Sequence, residues 1–213
     1  MLLFGGTFDP VHIGHLNMAN QCLNHFNSEQ LFFMPNRVPA HKQASNISNA
    51  DKLAMLRLAI ASEPRFKIDE RELHREGPSY SLLSLQELRE ELDSAGNHQE
   101  PILFLMGLDS FNSFDSWYQW QQITSLCHLV VYQRPQERLD LSATLTQYLS
   151  QHQCQQGAAL NNQRSGLVYF LPGPQLAVSS SEVRAKLQRQ QPCEEMLTPP
   201  VYQYIRDKRL YIG

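Results

Sequence analysis

The sequence contains no hydrophobic run long enough to span a bilayer, and its start has no basic stretch of the kind that opens a secretory signal, so no membrane partner and a cytoplasmic location are expected. Charge of one sign is also lacking. A formal net charge of −3 leaves no broad positive field for extended nucleic acid, and an anionic ligand must be held by a local pocket. Cysteine is scarce: Cys22, Cys127, Cys154 and Cys193 stand far apart without paired spacing, which argues against a disulfide framework and a zinc knuckle and for reduced thiols. Internal repeats, a Ser-His-Asp arrangement and paired catalytic carboxylates are absent too. What remains is a chain of 213 residues, 42% of them apolar, enough for one substantial core and too short for two ordinary domains.

Short apolar runs bounded by Gly, Pro or Asn predict strands at 2–4, 31–34, 66–68, 102–106, 128–132 and 167–171. Helical patterns lie between and after them, at about 10–26, 49–62, 81–92, 115–125, 139–151, 180–190 and 200–207. The alternation predicts an α/β fold: a single Rossmann-like, doubly wound domain over residues 1–213, with a mostly parallel sheet, C-terminal helices over about 179–213, and ligands at the carboxyl ends of the strands. The stretch 136–165, rich in Gln and Asn, reads as a variable excursion or a partly mobile one.

After the first strand comes Gly5-Gly6-Thr7-Phe8-Asp9-Pro10-Val11-His12-Ile13-Gly14-His15. The paired glycines suit a tight strand-to-helix turn with unusual backbone angles. Asp9 followed by Pro10 reads as an N-cap and first helical residue. His12 and His15 then share a helix face beside the free N–H groups of the helix start, a place for an anion. Gly14 between them leaves a bare face for a flat nucleotide. A lone histidine is usually structural, and that reading is kept for His25, His74, His98, His128 and His152. For His12 and His15 the functional reading prevails; zinc is disfavoured because no third ligand accompanies them.

Towards the other end, Val178-Ser179-Ser180-Ser181-Glu182-Val183-Arg184 has capping-box spacing from Ser179 to Glu182. That box leaves Ser180, Ser181 and Arg184 unexplained, and these would aim hydroxyls, backbone N–H groups and a guanidinium at one anion.

The first string resembles the signature of the HxGH nucleotidyltransferase superfamily, and the second resembles its Ile-Ser-Ser-Thr-x-Ile-Arg motif, with Val178 and Ser181 as mild departures. The resemblance implies nucleotidyl transfer from ATP, with His12, His15 and Arg184 as catalytic groups. Its ATP-binding set is Gly5, Gly6, Thr7, Phe8, His12, His15, Gly107, Asp109, Ser180, Ser181 and Arg184. Such chemistry needs in-line positioning and charge neutralisation rather than covalent help from the protein. A substrate phosphate, with a second pKa of about 6, is already an ionised nucleophile. The triphosphate implies Mg²⁺ held by phosphate oxygens and water, with no protein metal ligand.

The acceptor must be chosen by the middle of the chain. Asn36 and the basic pair His41 and Lys42 follow the second strand in Pro35-Asn36-Arg37-Val38-Pro39-Ala40-His41-Lys42, a phosphate site or simply a solvated basic loop. Gly77-Pro78-Ser79-Tyr80-Ser81 opens a helix, Gly107-Leu108-Asp109-Ser110 ends the fourth strand with a carboxylate for ribose hydroxyls, and Asp115-Ser116-Trp117-Tyr118 offers an aromatic face at a helix start. These segments are similar to the bacterial nicotinate mononucleotide adenylyltransferases over nearly the whole chain. The similarity implies an acceptor site of Asn36, His41, Lys42, Tyr80, Ser81, Trp117, Tyr118 and Arg134, with Trp117 stacked on the pyridine ring, backbone groups near Tyr80 to Leu82 and Trp117 to Tyr118 on its carboxylate, and Arg134 on a substrate phosphate. Two alternatives stay open: a pantetheine-phosphate adenylyltransferase, disfavoured by His12 and the Trp117 segment, and a nucleotide sensor that binds without turnover.

Overall fold

The computed structural model describes residues 1–37, 47–133, 138–174, 176 and 178–212. Seven parallel strands form one sheet in the order β3-β2-β1-β4-β5-β7-β6. The elements are β1 Leu2–Gly6, α1 Ile13–His25, β2 Leu31–Pro35, α2 Asn49–Ile60, β3 Phe66–Ile68, α3 Arg71–His74, α4 Ser81–Ser94, β4 Leu103–Gly107, α5 Leu108–Asn112, α6 Trp120–Leu126, β5 His128–Gln133, α7 Ala143–His152, β6 Gln153–Cys154, β7 Val168–Pro172, α8 Ser180–Gln188 and α9 Pro199–Lys208. All six expected strands are present, and the sheet is parallel throughout rather than mostly so. Only the two-residue β6 was not foreseen.

Side chains alternate across the pleat, which explains why these strands read as unbroken apolar runs: both faces are covered. Leu2, Phe4, Leu103, Leu105 and Val130 pack on one side with residues of α1, α2, α8 and α9. Leu3, Phe104, Met106, Leu129 and Val131 pack on the other with residues of α4, α5, α6 and α7. Strand order runs outward from β1 to β2 and β3, then returns to β4 on the other side of β1. The reversal opens a crevice at the carboxyl ends of β1 and β4, where Gly5-Gly6 and Gly107 lie.

Three local expectations change. The helix read from Pro10 begins at Ile13, with His12 as its N-cap, because the Asp9 carboxylate accepts the Tyr211 hydroxyl at 2.6 Å instead of capping. The helix read over 115–125 is broken. A 3₁₀ turn at Phe114–Ser116 ends at Trp117 in extended conformation, Gln119 turns with φ +47°, and α6 starts only at Trp120. The Gln-rich stretch is built rather than an excursion: from 138 to 165 it supplies α7, β6 and a 3₁₀ turn. Leu145, Leu149 and Leu160 are buried, and Arg164 reaches Asp93 at 2.8 Å.

The cysteines among these residues are free thiols, and burial pushes Cys22 and Cys127 well above the usual thiol range, which makes them inert. His128 is a core residue, as its structural reading expected. Its Nδ1 accepts from the Leu167 N–H at 3.1 Å, so Nε2 carries the proton and donates to the Gln163 carbonyl at 2.9 Å. Desolvation holds its pKa below the ordinary histidine value. The unfolded chain therefore takes up a proton near pH ~6.5 that the folded chain does not, and stability falls as pH drops below that value. His128→Asn should be less stable at pH 7.5 yet lose less of its Tm between pH 7.5 and 5.5 than the parent, as read by calorimetry at both pH values. Equal slopes would show that His128 titrates alike in both states.

Candidate active site

Gly5 and Gly6 belong to β1 and have no left-handed angles; what they supply is space. A Cβ on Gly5 would stand 2.6 Å from the Phe104 ring, and one on Gly6 would stand 2.8 Å from the Phe8 ring. The unusual angle falls on Phe8, at φ +46°, whose buried ring packs edge-on against Phe4 and His15. This turn delivers the chain to α1. The His12 N–H reaches His15 Nδ1 at 3.3 Å, and the two imidazoles stack with centroids 3.7 Å apart. Gly14 does not leave an open face. A Cβ there would come within 2.9 Å of the His12 ring and 3.4 Å of the Val178 carbonyl, so the missing side chain makes room for the catalytic candidate and for the segment that leads into α8.

That segment brings the second motif onto the first. Ser179 accepts the Glu182 N–H at 3.2 Å, the expected cap. Ser180 Oγ donates to the Pro10 carbonyl at 3.0 Å; Arg184 donates to the Asp9 carbonyl at 2.6 Å and to Ser181 Oγ at 3.1 Å. The two motifs are thus joined directly by side chains of the second on backbone carbonyls of the first.

Two clefts open at this crevice. The larger, of about 2060 Å³, is lined by Phe8, His12, His15, Gly107, Ser180, Ser181 and Arg184. The smaller, of about 940 Å³, is lined by Asn36, Tyr80, Ser81, Trp117 and Tyr118. Gly5, Gly6, Thr7, Asp109 and Ser110 line both and form their common wall. Of the candidate residues within the described part of the chain, Phe8, His12, His15, Gly107, Ser180, Ser181 and Arg184 line the larger cleft alone, Asn36, Tyr80, Ser81, Trp117 and Tyr118 the smaller alone, and Gly5, Gly6, Thr7 and Asp109 both. His41, Lys42 and Arg134 lie outside the described residues.

Within the smaller cleft, Asn36 Nδ2 is 3.5 Å from Thr7 Oγ1, and its Oδ1 is buried with no hydrogen-bond partner among the described residues. Trp117 is half-buried, its ring edge-on to Phe114 at 5.5 Å and to Phe104 at 6.4 Å. Tyr118, exposed, stacks on Tyr80 at 4.5 Å across the rim. The α4 helix starts at this wall with Tyr80 as N-cap, whose side chain makes no bond to the first N–H groups of the helix, those of Ser81 and Leu82. Glu72 also lines the cleft, buried, accepting from Ser84 Oγ at 2.6 Å; desolvation raises its pKa. No three His, Cys, Asp or Glu side chains gather as a metal-binding group among the described residues.

Residues 3–186 match the cytidylyltransferase-like family. A relative from Psychromonas ingrahamii, named "Probable nicotinate-nucleotide adenylyltransferase", is 38% identical over 207 residues, which cover 97% of this chain and 94% of the relative. One of the same name from Serratia proteamaculans is 37% identical over 211 residues, 98% of this chain and 94% of its own. This chain belongs to the nicotinate-nucleotide adenylyltransferase family. The fold also matches a solved Plasmodium falciparum nicotinic acid mononucleotide adenylyltransferase complexed with APC, at a TM-score of 0.72 and 16% identity over 99% of this chain and 96% of that one.

Sequence reasoning missed several cleft residues. In this family member Glu72, Phe104 and Ser113 line the smaller cleft, and Asp9, Arg209 and Tyr211 the larger. Asp9 was read as a cap and Phe104 lay inside a strand; Arg209 and Tyr211 sit in no motif, so no local signal points to them. One substitution tests the packing around His12. Gly14→Ala should gain helix propensity of roughly 1 kcal/mol, offset by the shift of the His12 ring, so Tm should change little while kcat falls at least ~10-fold. Unchanged kcat would show that the position of His12 is not critical.

Proposed function

We infer that this chain transfers the adenylyl group of ATP to nicotinate mononucleotide, giving nicotinate adenine dinucleotide and pyrophosphate in NAD biosynthesis. The observation that carries this reading is the wall shared by the two clefts, Gly5-Gly6-Thr7 and Asp109-Ser110, across which two ligands can meet end to end. The family names agree with it, and so do the two complexes of the Plasmodium falciparum protein, described with APC and with NaAD.

ATP occupies the larger cleft and the mononucleotide the smaller. An oxygen of the acceptor phosphate attacks the α-phosphorus at the shared wall; the bond to the bridging oxygen breaks, and pyrophosphate leaves with its electron pair. No general base is needed, since the attacking phosphate is ionised at neutral pH. His12 and His15, at the start of α1, face the charge that develops on the α-phosphate and the leaving group. Ser180, Ser181 and Arg184 hold the β- and γ-phosphates from the start of α8. Asp109, on the common wall, accepts from a ribose hydroxyl. Without a clustered set of acidic ligands in the described clefts, Mg²⁺ fits as an ion carried by the triphosphate and water, where it neutralises phosphate charge. No helix among the described residues is long and apolar enough to cross a membrane.

The broken helix changes how the acceptor carboxylate is held. Trp117 does not begin a helix, and its N–H is already bonded to the Phe114 carbonyl at 3.0 Å. The helix-start reading therefore rests on Ser81 and Leu82 at α4, with Trp117 as a ring platform. Recognition by N–H donors favours the acid, because the amide would turn its own NH₂ towards them at roughly 1–3 kcal/mol per unpaired group. Initial rates of pyrophosphate release should give nicotinate mononucleotide at least about ten-fold higher kcat/KM than nicotinamide mononucleotide. Phosphopantetheine as the better acceptor would replace this reading with its nearest alternative, and binding of ATP without turnover would leave a sensor.

His15→Ala should lower kcat by at least ~10²-fold while weakening ATP binding far less, since the imidazole acts on charge that appears in the transition state. Near-parental turnover would sink the assignment of the first motif. Trp117→Ala should raise KM for the mononucleotide by the equivalent of ~1–2 kcal/mol and leave KM for ATP unchanged. An equal effect on both substrates would make Trp117 a packing residue.

A further inference from the structure

The residues after α9 take no part in the scheme above, yet they line the larger cleft. Arg209 ends α9 with φ +52°, and Tyr211 follows with φ +63°. Both angles lie in the left-handed region, where glycine or asparagine is the easier occupant. Two such side chains in three residues are a local conflict, and the packing around them must hold it in place. What holds it is Tyr211. Its ring is buried and its hydroxyl donates to Asp9 Oδ1 at 2.6 Å. Burial, then the bond to Asp9, push the phenol far above its ordinary pKa, so it remains a donor. The segment is thereby pinned beside the turn that Arg184 and Ser180 also grip, and Arg209 is left exposed on the cleft wall.

The charge of that wall makes the placement consequential. The described residues lining the larger cleft include two acids, Asp9 and Asp109, and two arginines, Arg184 and Arg209. Arg184 already donates to the Asp9 carbonyl and to Ser181, so part of its donor capacity is spent inside the protein. A triphosphate brought into this cleft would be bound more tightly by a second guanidinium on its wall.

We propose that Arg209 is a further ATP-binding residue that contacts the triphosphate, with Tyr211 as the positioning residue that holds it there through Asp9. The assignment rests on the larger cleft being the ATP site, as in the reading above. It explains why the chain keeps arginine where glycine would relax the backbone.

The test compares Arg209→Gly, Arg209→Lys and Tyr211→Phe with the parent. Calorimetry with α,β-methylene ATP reads binding without turnover, and pyrophosphate release reads KM for each substrate. Arg209→Gly should keep or raise Tm, because the left-handed angle is then relaxed, while the Kd for the analogue rises about five- to twenty-fold. Arg209→Lys should recover part of that loss. Tyr211→Phe, which keeps the ring, should weaken analogue binding in the same direction. KM for the mononucleotide should stay within two-fold in all three, since residues 209–212 do not line the smaller cleft. A purely structural role predicts a Gly variant as good as the parent, and an analogue Kd within two-fold of the parent overturns the proposal. A parent that binds the analogue but releases no pyrophosphate would sink adenylyl transfer and leave the Kd comparison standing. A parent that fails to bind it would overturn both.

Discussion

The Asp9-Pro10 turn is the point on which the site depends. Its two carbonyls accept from Arg184 and Ser180, and the Asp9 carboxylate accepts from Tyr211, contacts that span 175, 170 and 202 residues of sequence. A buried carbonyl or carboxylate left without these donors would carry a desolvation penalty, so the three bonds stand or fall together. Lys52 lies near enough for the Asp9 carboxylate to act on its pKa, although burial, the larger influence, lowers it. Everything proposed for the triphosphate side follows from this seam. It sets where α1 starts, fixes Ser180 and Arg184 against the first motif, and orients the residues after α9.

Contacts of such sequence separation are slow to find and cannot be nucleated locally. The seam requires the first dozen residues, the start of α8 and the residues after α9 at once. The arrangement makes the site a property of the completed fold rather than of either motif alone.

How much could be read from residues alone differed by kind of signal. Strand runs such as 102–106 and 128–132 were legible because both faces of the sheet are buried, and a fully apolar run has few other uses in a chain of this composition. Phe8, His12, His15, Ser180, Ser181 and Arg184 line one cleft and Tyr80, Ser81 and Trp117 the other, a separation legible because each motif lies in the connection after the carboxyl end of a strand, while Gly5 to Thr7 serve both. Reasons for individual residues were less so. Gly5 and Gly6 looked like turn glycines, yet what requires them is the rings of Phe104 and Phe8, a contact no local pattern reveals. Asp9 has the ordinary appearance of an N-cap, and only a tyrosine far along the chain redirects it. The break at Gln119 was hidden because Gln carries no turn signal, and the left-handed angle there falls between Trp117 and Trp120, which both pack on Phe114, a contact no local pattern reveals.

The two outer strands of the sheet are its shortest. β3 has three residues with the exposed Lys67 at its centre, and β6 has two. A row of unpaired backbone groups invites another chain to add a strand, and here each row is nearly over before it begins, with a charge set in the longer one. Edge-to-edge growth into ribbons is therefore disfavoured by construction, and copies of this chain that associate would do so through helices and loops rather than by extending the sheet.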